Sequence, residues 1–151
     1  MKSECAYLMF AIVALVLCGA AEEMFPKPLG VGFPFLFCAA VWFAVRAAST
    51  AAFVFALAAG TAEDALAGLP FVMSASYFVL AVFATRFFRL PGIFASFFYF
   101  GYQFWLWLWV PDLQGSLFMR GLLALPVGAG VAFCLSVLLD ACLRGGGLDE
   151  K

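Results

Sequence analysis

Near its C-terminus the chain contains the run LFMRGLLALPVGAGVAFCLSVLLDACL, residues 117–143, which decides the class of fold. The run exceeds the roughly 20 mainly apolar residues that a helix needs to cross the hydrocarbon core of a membrane. Towards the N-terminus, further apolar runs alternate with charged residues, Pro and Gly, which interrupt helices. This pattern predicts an all-α protein, a polytopic bundle of transmembrane helices.

The composition agrees with a membrane bundle and excludes several other classes. Hydrophobic residues make up 67% of the 151 residues and charged residues 11%, whereas a soluble domain carries about 25% charged residues. A soluble domain of this size could not bury so much apolar side chain, and disordered chains are poor in apolar residues. The net charge of −1, with scattered Lys and Arg, gives no basic patch for nucleic acid.

Six spans are predicted in one transmembrane domain, at about 5–21, 33–45, 48–62, 69–88, 92–110 and 117–143, followed by a short tail at 144–151. Lys and Arg accumulate in cytoplasmic loops of membrane proteins. With the N-terminus inside, six spans place most of the basic residues in the cytoplasm, namely Lys2, Arg46, Arg86, Arg89, Arg144 and Lys151. Only Lys27 and Arg120 then lie outside, so both termini are predicted to be cytoplasmic.

The sequence allows two alternatives to this topology, a single helix across the second and third runs and a signal peptide at the first run. A single helix across the second and third runs would place Arg46 near the bilayer centre, at a cost of about 2.5–3.5 kcal/mol. It would also move Arg86 and Arg89 to the outside. The first run could instead be a cleavable signal peptide, because Lys2 precedes an apolar core and small residues follow it. Cleavage would leave the orientation of the other spans unchanged.

The third run, Ser49–Ala62, is short for a membrane span. Its residues make about 21 Å of helix, less than the roughly 30 Å hydrocarbon core. Either the helix begins nearer Arg46 or it continues through Glu63 and Asp64. The second option would place two carboxylates at membrane depth, where ionisable groups are usually functional. The interfacial placement of both acids is the preferred prediction.

Stripes of small residues predict close packing between helices, because such residues let helix backbones approach in lipid. One stripe in the third span consists of Ala48, Ala52, Ala56 and Gly60, and another in the last span of Ala124, Gly128 and Ala132. Packing within the chain is the first expectation for both stripes, and a partner-binding face is the second.

Three tryptophans alternate with leucines at the end of the fifth predicted span, Trp105, Trp107 and Trp109. Trp prefers the headgroup level of a membrane, so these residues are predicted to form an interface belt. An aromatic wall for a partner or a lipid is the alternative.

The residues that usually carry chemistry are sparse. The chain has no His, which removes the commonest general base and transition-metal ligand. The serines have no adjacent base to activate them, and no two cysteines form a CxxC pair of the kind found in zinc sites. We therefore expect no enzyme, no cofactor and no metal site. Pro126, Gly128 and Gly130 could break the last helix as in transporters, or could make a kink or a close helix contact.

The most distinctive segment is Gly60-Thr-Ala-Glu63-Asp64-Ala-Leu-Ala-Gly68-Leu-Pro70, followed by Ser74-Ala-Ser-Tyr77. It resembles the rod shape-determining protein MreD family of bacterial inner-membrane proteins. That family has a Gly, an acid a few residues later, and a Gly/Pro turn into a helix that starts with small residues. Gly60, Asp64, Gly68 and Pro70 match this pattern, whereas Val72 stands where a second Gly is usual and Glu63 where Gln is frequent.

The resemblance implies a non-enzymatic subunit of the cell-elongation machinery in the inner membrane. Its partners would be membrane lipid, MreC, the MreB filament, and the peptidoglycan synthases of lateral wall growth. Glu63, Asp64, Gly60 and Gly68 would serve partner binding at the outer rim, with Glu22, Glu23 and Asp112 as further acids there. Arg86 and Arg89, with Arg46 and Arg144, would do so at the cytoplasmic rim. The alternative is a substrate-binding membrane subunit of a vitamin transporter of the energy-coupling-factor type.

Overall fold

The computed structural model describes residues 2–25, 31–91, 94–110 and 117–145 of the chain. These residues form helices and no strand, so the all-helical class is confirmed for the part of the chain that is described. The helices, in chain order, are α1 (Lys2–Met24), α2 (Phe35–Arg46), α3 (Ser49–Ala67), α4 (Met73–Phe87), α5 (Ala95–Trp109) and α6 (Leu117–Gly145). The loop with Pro111 and Asp112, and the tail after Gly145, lie outside the described residues.

Three helical segments among the described residues are long and apolar enough to cross a membrane: Tyr7–Met24, Ser49–Ala67 and Met119–Gly145. Two further apolar helices are shorter, Phe35–Arg46 and Met73–Phe87. This length and composition are compatible with a membrane protein.

α3 is longer than the apolar run from which it was predicted, whereas α2 is the shortest helix among the described residues. α3 has 19 residues, because it continues through Glu63 and Asp64 until Gly68 adopts the left-handed φ of 64°. No Pro or Gly interrupts the backbone between Gly60 and Gly68, and isolated acids do not stop a helix of alanines. α2 has only 12 residues, about 18 Å of helix.

α2 lies at the centre of the bundle and contacts each of the other helices. Nine of its residues, from Leu36 to Ala44, are buried, which fits a helix that is hydrophobic on all sides. The rings of Phe37 and Phe43 are fully buried, as is that of Phe78 in α4. Other helices of the same chain therefore surround this short helix.

The small-residue stripes contact neighbouring helices of the same chain. Ala52 and Ala56 are fully buried, and a Cβ atom added to Gly60 would lie 2.3 Å from Cα of Ala75 in α4. Ala48 differs from the rest of its stripe, because it is exposed and precedes the first residue of α3.

In α6, Ala124 is fully buried and Ala132 partly buried. A Cβ on Gly128 would meet Ser96 and Tyr99 of α5 at 3.3 Å. α6 contains Pro126 and yet continues as one helix to Gly145. The small residues around Pro126 therefore form a close contact with α5, and α6 is not broken there.

Consecutive helices alternate in direction, so the charged residues collect at two opposite ends. Glu22 of α1 meets the start of α2, since its Oε2 accepts a 3.2 Å bond from N of Leu36. Asp64 of α3 meets the start of α4. We call this the acidic end. At the other end, which we call the basic end, Arg86 of α4 donates to the last carbonyl groups of α2.

α5 begins part-way along the bundle. Its second turn already reaches the acidic end, because Tyr99 Oη donates a 2.7 Å bond to the carbonyl of Gly32, which precedes α2. Ala95, the first residue of α5, lies near Cys38 in the middle of α2. Beyond Ala95, towards the basic end, α2 and α6 face each other across an open groove.

Candidate functional site

The turn between α3 and α4 holds the polar group that the sequence singled out. Asp64 is 3% exposed, and its Oδ1 accepts a 2.7 Å hydrogen bond from the backbone N–H of Ser74. α4 has no side-chain cap of its own, since the residue before it is Val72. The first N–H groups of a helix need acceptors, and here a carboxylate from the preceding helix supplies one.

A buried chain of hydrogen bonds extends from this turn to α5. Ser74 Oγ and Tyr102 Oη lie 2.5 Å apart, and the Tyr102 ring stacks on Phe37 of α2 with a 6.3 Å centroid separation. Trp105 Nε1 donates a 3.2 Å bond to the carbonyl of Met73. The start of α4 is therefore fixed by α3 on one side and by α5 on the other.

The two carboxylate oxygens of Asp64 differ in their hydrogen bonding. Its Oδ2 is buried and accepts no hydrogen bond from the described residues. A buried carboxylate oxygen without a donor costs free energy, so it is the atom of this site that can still accept a hydrogen bond. Glu63, the neighbouring acid, is half-buried and takes part in interactions of its own.

The glycine positions of the motif have distinct structural requirements. Gly60 lies so close to α4 that any side chain would collide with the backbone of Ala75. Gly68 ends α3 with a φ of 64°, and the N–H of Leu69 returns to the carbonyl of Asp64. This is the usual way in which glycine ends a helix.

Val72 also adopts a left-handed conformation, with φ 72° and ψ 3°. Such a φ is rare for β-branched residues and natural for glycine. The position at which the sequence departs from the glycine pattern is therefore one where the backbone has the geometry of glycine.

The sequence analysis placed Gly60, Asp64, Glu63 and Gly68 together on a partner-binding rim. The structure brings them to one turn, but Gly60 and Asp64 face inward and hold α3 against α4. The surface of this turn consists of other residues, with Phe71 83% exposed at its tip and Gly68 exposed beside it. Gly60 and Asp64 therefore contribute to the packing of this turn and not to its exposed surface.

At the basic end, Arg86 is a structural residue. Its Nη1 donates to the carbonyls of Ala44 and Ala47 at 2.9 and 2.7 Å, two of the carbonyls that the end of α2 leaves without a partner. Arg89 is exposed, with a φ of 50°, and it does not share the contact of Arg86 with α2. The two arginines, although three residues apart, therefore have different surroundings.

The three tryptophans of the predicted interface belt differ in their burial and contacts. Trp105 is partly buried against the core and bonds to Met73, whereas Trp109 is 62% exposed and Trp107 is intermediate. Trp105 and Trp109 contact each other with a 5.8 Å centroid separation. Trp105 therefore belongs to the α4–α5 contact, and Trp109 is the most exposed of the three tryptophans.

A second polar site, not predicted from the sequence, joins Asp140 of α6 to α2. Asp140 Oδ2 lies 2.8 Å from Nη2 of Arg46, and its Oδ1 accepts a 3.0 Å bond from Nε1 of Trp42. Asp140 is an acid within a long apolar run, one turn before Arg144. Because Arg46 ends its own apolar run at the same side, the two charges could have been paired from the predicted topology.

The described residues contain no group of three or more His, Cys, Asp or Glu side chains that could hold a metal ion. Among those residues, the polar contacts in the two sites join helix ends, and none of them aligns a nucleophile with a base. What the arrangement can do is hold the helices in register and offer surfaces at the two ends.

No family model matches the chain, and no curated protein or solved structure matches it either.

Proposed function

We propose that the chain is a non-enzymatic scaffold subunit of the bacterial cell-elongation complex, of the MreD type. It would cross the inner membrane six times, with both termini in the cytoplasm. Its partners would be MreC and, through it or directly, the MreB filament and the cell-wall synthases. The observation that carries the proposal is the backbone around the α3–α4 turn. Gly60 leaves no room for a side chain, and Gly68 and Val72 both have the positive φ that glycine adopts easily.

The uses of the polar side chains support a scaffold. Asp64, Arg86 and Glu22 each satisfy backbone groups at the end of a neighbouring helix. In hydrocarbon, where water is absent, such groups must find partners within the protein. These charges therefore serve the shape of the bundle, which is what a protein that acts by presenting fixed surfaces requires.

The separation of charges supports the proposed orientation. Arg46, Arg86, Arg89 and Arg144 lie at the basic end, which the distribution of Lys and Arg predicts to be cytoplasmic. The acidic end, with the α3–α4 turn, would then face the periplasm. We assign to this turn, with Phe71 at its tip, the contact with a periplasmic partner.

Depletion and pull-down experiments test the proposal. Depleting the protein in its native rod-shaped host should round the cells, and a tagged copy should recover MreC. Phe71→Ser should reduce this recovery at unchanged protein level. Phe87→Ser is the matched control, because Phe87 is 70% exposed at the opposite end of α4. Normal cell shape without recovery of MreC would refute the proposal.

Asp64 separates support of the turn from direct contact. Asp64→Asn keeps an acceptor for the N–H of Ser74, as Asn does at helix caps, so complex recovery should be nearly normal. Loss of the complex at an unchanged protein level would instead show that the charge of Asp64 binds the partner.

The groove between α2 and α6 favours a second candidate, a substrate-binding subunit of a vitamin transporter. This function predicts that the purified protein retains a vitamin and that adding the vitamin changes tryptophan fluorescence. Trp42 borders the groove and would report the binding.

A further inference from the structure

The groove between α2 and α6 is an apolar cavity with a charged mouth. Its volume is about 280 Å³. The apolar walls come from Cys38, Val41 and Val45 of α2 and from Ala129, Ala132 and Phe133 of α6. Val45 and Phe133 are both at least half exposed, so the groove opens sideways. In a membrane bundle it would open into the hydrocarbon.

The mouth of the groove carries one positive and one negative charge. The side chain of Arg46 is 54% exposed and that of Asp140 27% exposed, although they form an ion pair. Arg46 donates a hydrogen bond to Asp140, and a guanidinium has five N–H donors. Each carboxylate oxygen of Asp140 accepts one bond and can accept another. Both groups can therefore bind a ligand while they remain paired.

We propose that this groove binds one acyl chain of phosphatidylethanolamine, with the lipid phosphate at Arg46 and its primary ammonium at Asp140. The apolar walls suit a hydrocarbon chain, since each buried methylene contributes about 0.8 kcal/mol. The volume lies just below the roughly 300–1,000 Å³ of small-molecule pockets. A cavity of this volume is too small for two acyl chains, so one chain enters it and the second chain stays in the surrounding lipid.

The paired charges at the mouth select the headgroup. An anionic headgroup would be attracted by Arg46 and repelled by Asp140, whereas a zwitterionic headgroup complements both. Phosphatidylcholine has the same net charge as phosphatidylethanolamine, but its quaternary ammonium has no N–H to donate. Charge-assisted hydrogen bonds are about twice as strong as neutral ones, so the bond to Asp140 should favour the primary ammonium.

Fluorescence quenching by brominated lipids measures this selectivity. The chain has four tryptophans, so replacing Trp105, Trp107 and Trp109 by Phe leaves Trp42 at the groove as the reporter. In vesicles, dibrominated phosphatidylethanolamine among unlabelled phosphatidylcholine should quench Trp42 several-fold more than the reverse labelling at equal mole fractions. If this variant fails to fold, mass spectrometry of the lipid that copurifies with the unmodified chain gives the same comparison.

Two substitutions test the two parts of the site. Asp140→Asn keeps an acceptor for Trp42 and removes the negative charge, so the preference for phosphatidylethanolamine should vanish and phosphatidylglycerol should bind more tightly. Arg144→Gln is its control, one turn further along α6, and should change nothing. Ala132→Phe fills the groove and should abolish retention of the lipid, whereas Ala141→Phe, at an exposed position of α6 outside the lining, should not.

Three results would contradict the proposal. Equal quenching by the two zwitterionic lipids would show that the ammonium group does not bind Asp140. Tighter binding of phosphatidylglycerol to the unmodified chain would show an ordinary basic rim. Retention of a vitamin that displaces the lipid would assign the groove to a transported substrate. None of these results would bear on recovery of MreC, which tests the proposed function separately.

Discussion

At Gly60 the backbones of α3 and α4 approach each other closely, and substitution of Gly60 tests that contact. In Gly60→Ala the added Cβ would lie 2.3 and 2.6 Å from backbone atoms of Ala75, so the helices must separate. Overpacking of this kind costs about 1–3 kcal/mol. We expect a lower midpoint of thermal unfolding in detergent. Gly130→Ala is the control, because nothing lies within 4 Å of its added Cβ and alanine favours helix. Equal midpoints would contradict the contact.

Val72 is strained, and its removal should stabilise the protein. A left-handed conformation costs an L-residue about 1–2 kcal/mol, and glycine avoids most of this cost. Val72 is 41% exposed, so its replacement loses little packing. Val72→Gly should raise the unfolding midpoint, by about 1 kcal/mol in free energy after the entropy of glycine is subtracted. Val54→Gly, in the interior of α3, should lower it. A decrease for Val72→Gly would contradict the strained backbone.

At the scale of elements, Arg86 connects α4 to the end of α2. Arg86→Met keeps the apolar stem and removes the donors to Ala44 and Ala47, leaving carbonyl groups unpaired. An unsatisfied buried polar group costs about 1–3 kcal/mol, so thermal stability in detergent should fall measurably. Arg89→Met should have little effect, since Arg89 is exposed. Equal losses for both variants would show that Arg86 acts only through its charge.

The helices and their order follow from the apolar runs, but helix lengths do not. Hydropathy locates the first charged residue after an apolar run, and α3 continues past that residue, Glu63, to Ala67. Glu63 belongs to the helix, and its neighbour Asp64 turns inward to meet Ser74. That contact joins residues of different helices and leaves no periodic trace in the sequence.

The candidate site shows the same division. Gly60 and Gly68 could be identified because glycine at fixed spacing marks backbone requirements. The inward direction of Asp64, the pairing of Asp140 with Arg46, and the late start of α5 depend on how the helices pack. Packing in the third dimension is set by the fit of many side chains, which a linear pattern does not encode.

At the scale of the whole molecule, the orientation of the bundle is the central prediction. Six spans with cytoplasmic termini place Phe88 and Lys151 on the same side of the membrane. Cytoplasmic reporter fusions after each residue should be active, and a periplasmic reporter after Gly68 should be active as well. A periplasmic signal after Phe88 or Lys151 would show that the bundle is inverted or has a different number of spans. The assignment of the α3–α4 turn to a periplasmic partner would then be wrong.

The shortness of α2 has a consequence for biogenesis. A segment of about 18 Å cannot satisfy the thickness of a bilayer by itself, and its last carbonyl groups depend on Arg86, which is synthesised some forty residues later. If α2 crosses the membrane as proposed, we expect the nascent hairpin of α2 and α3 to stay near the insertion machinery until α4 has been synthesised. Chains truncated after Ala67 should be degraded rapidly in pulse-chase experiments, whereas chains that extend past Arg89 should persist longer.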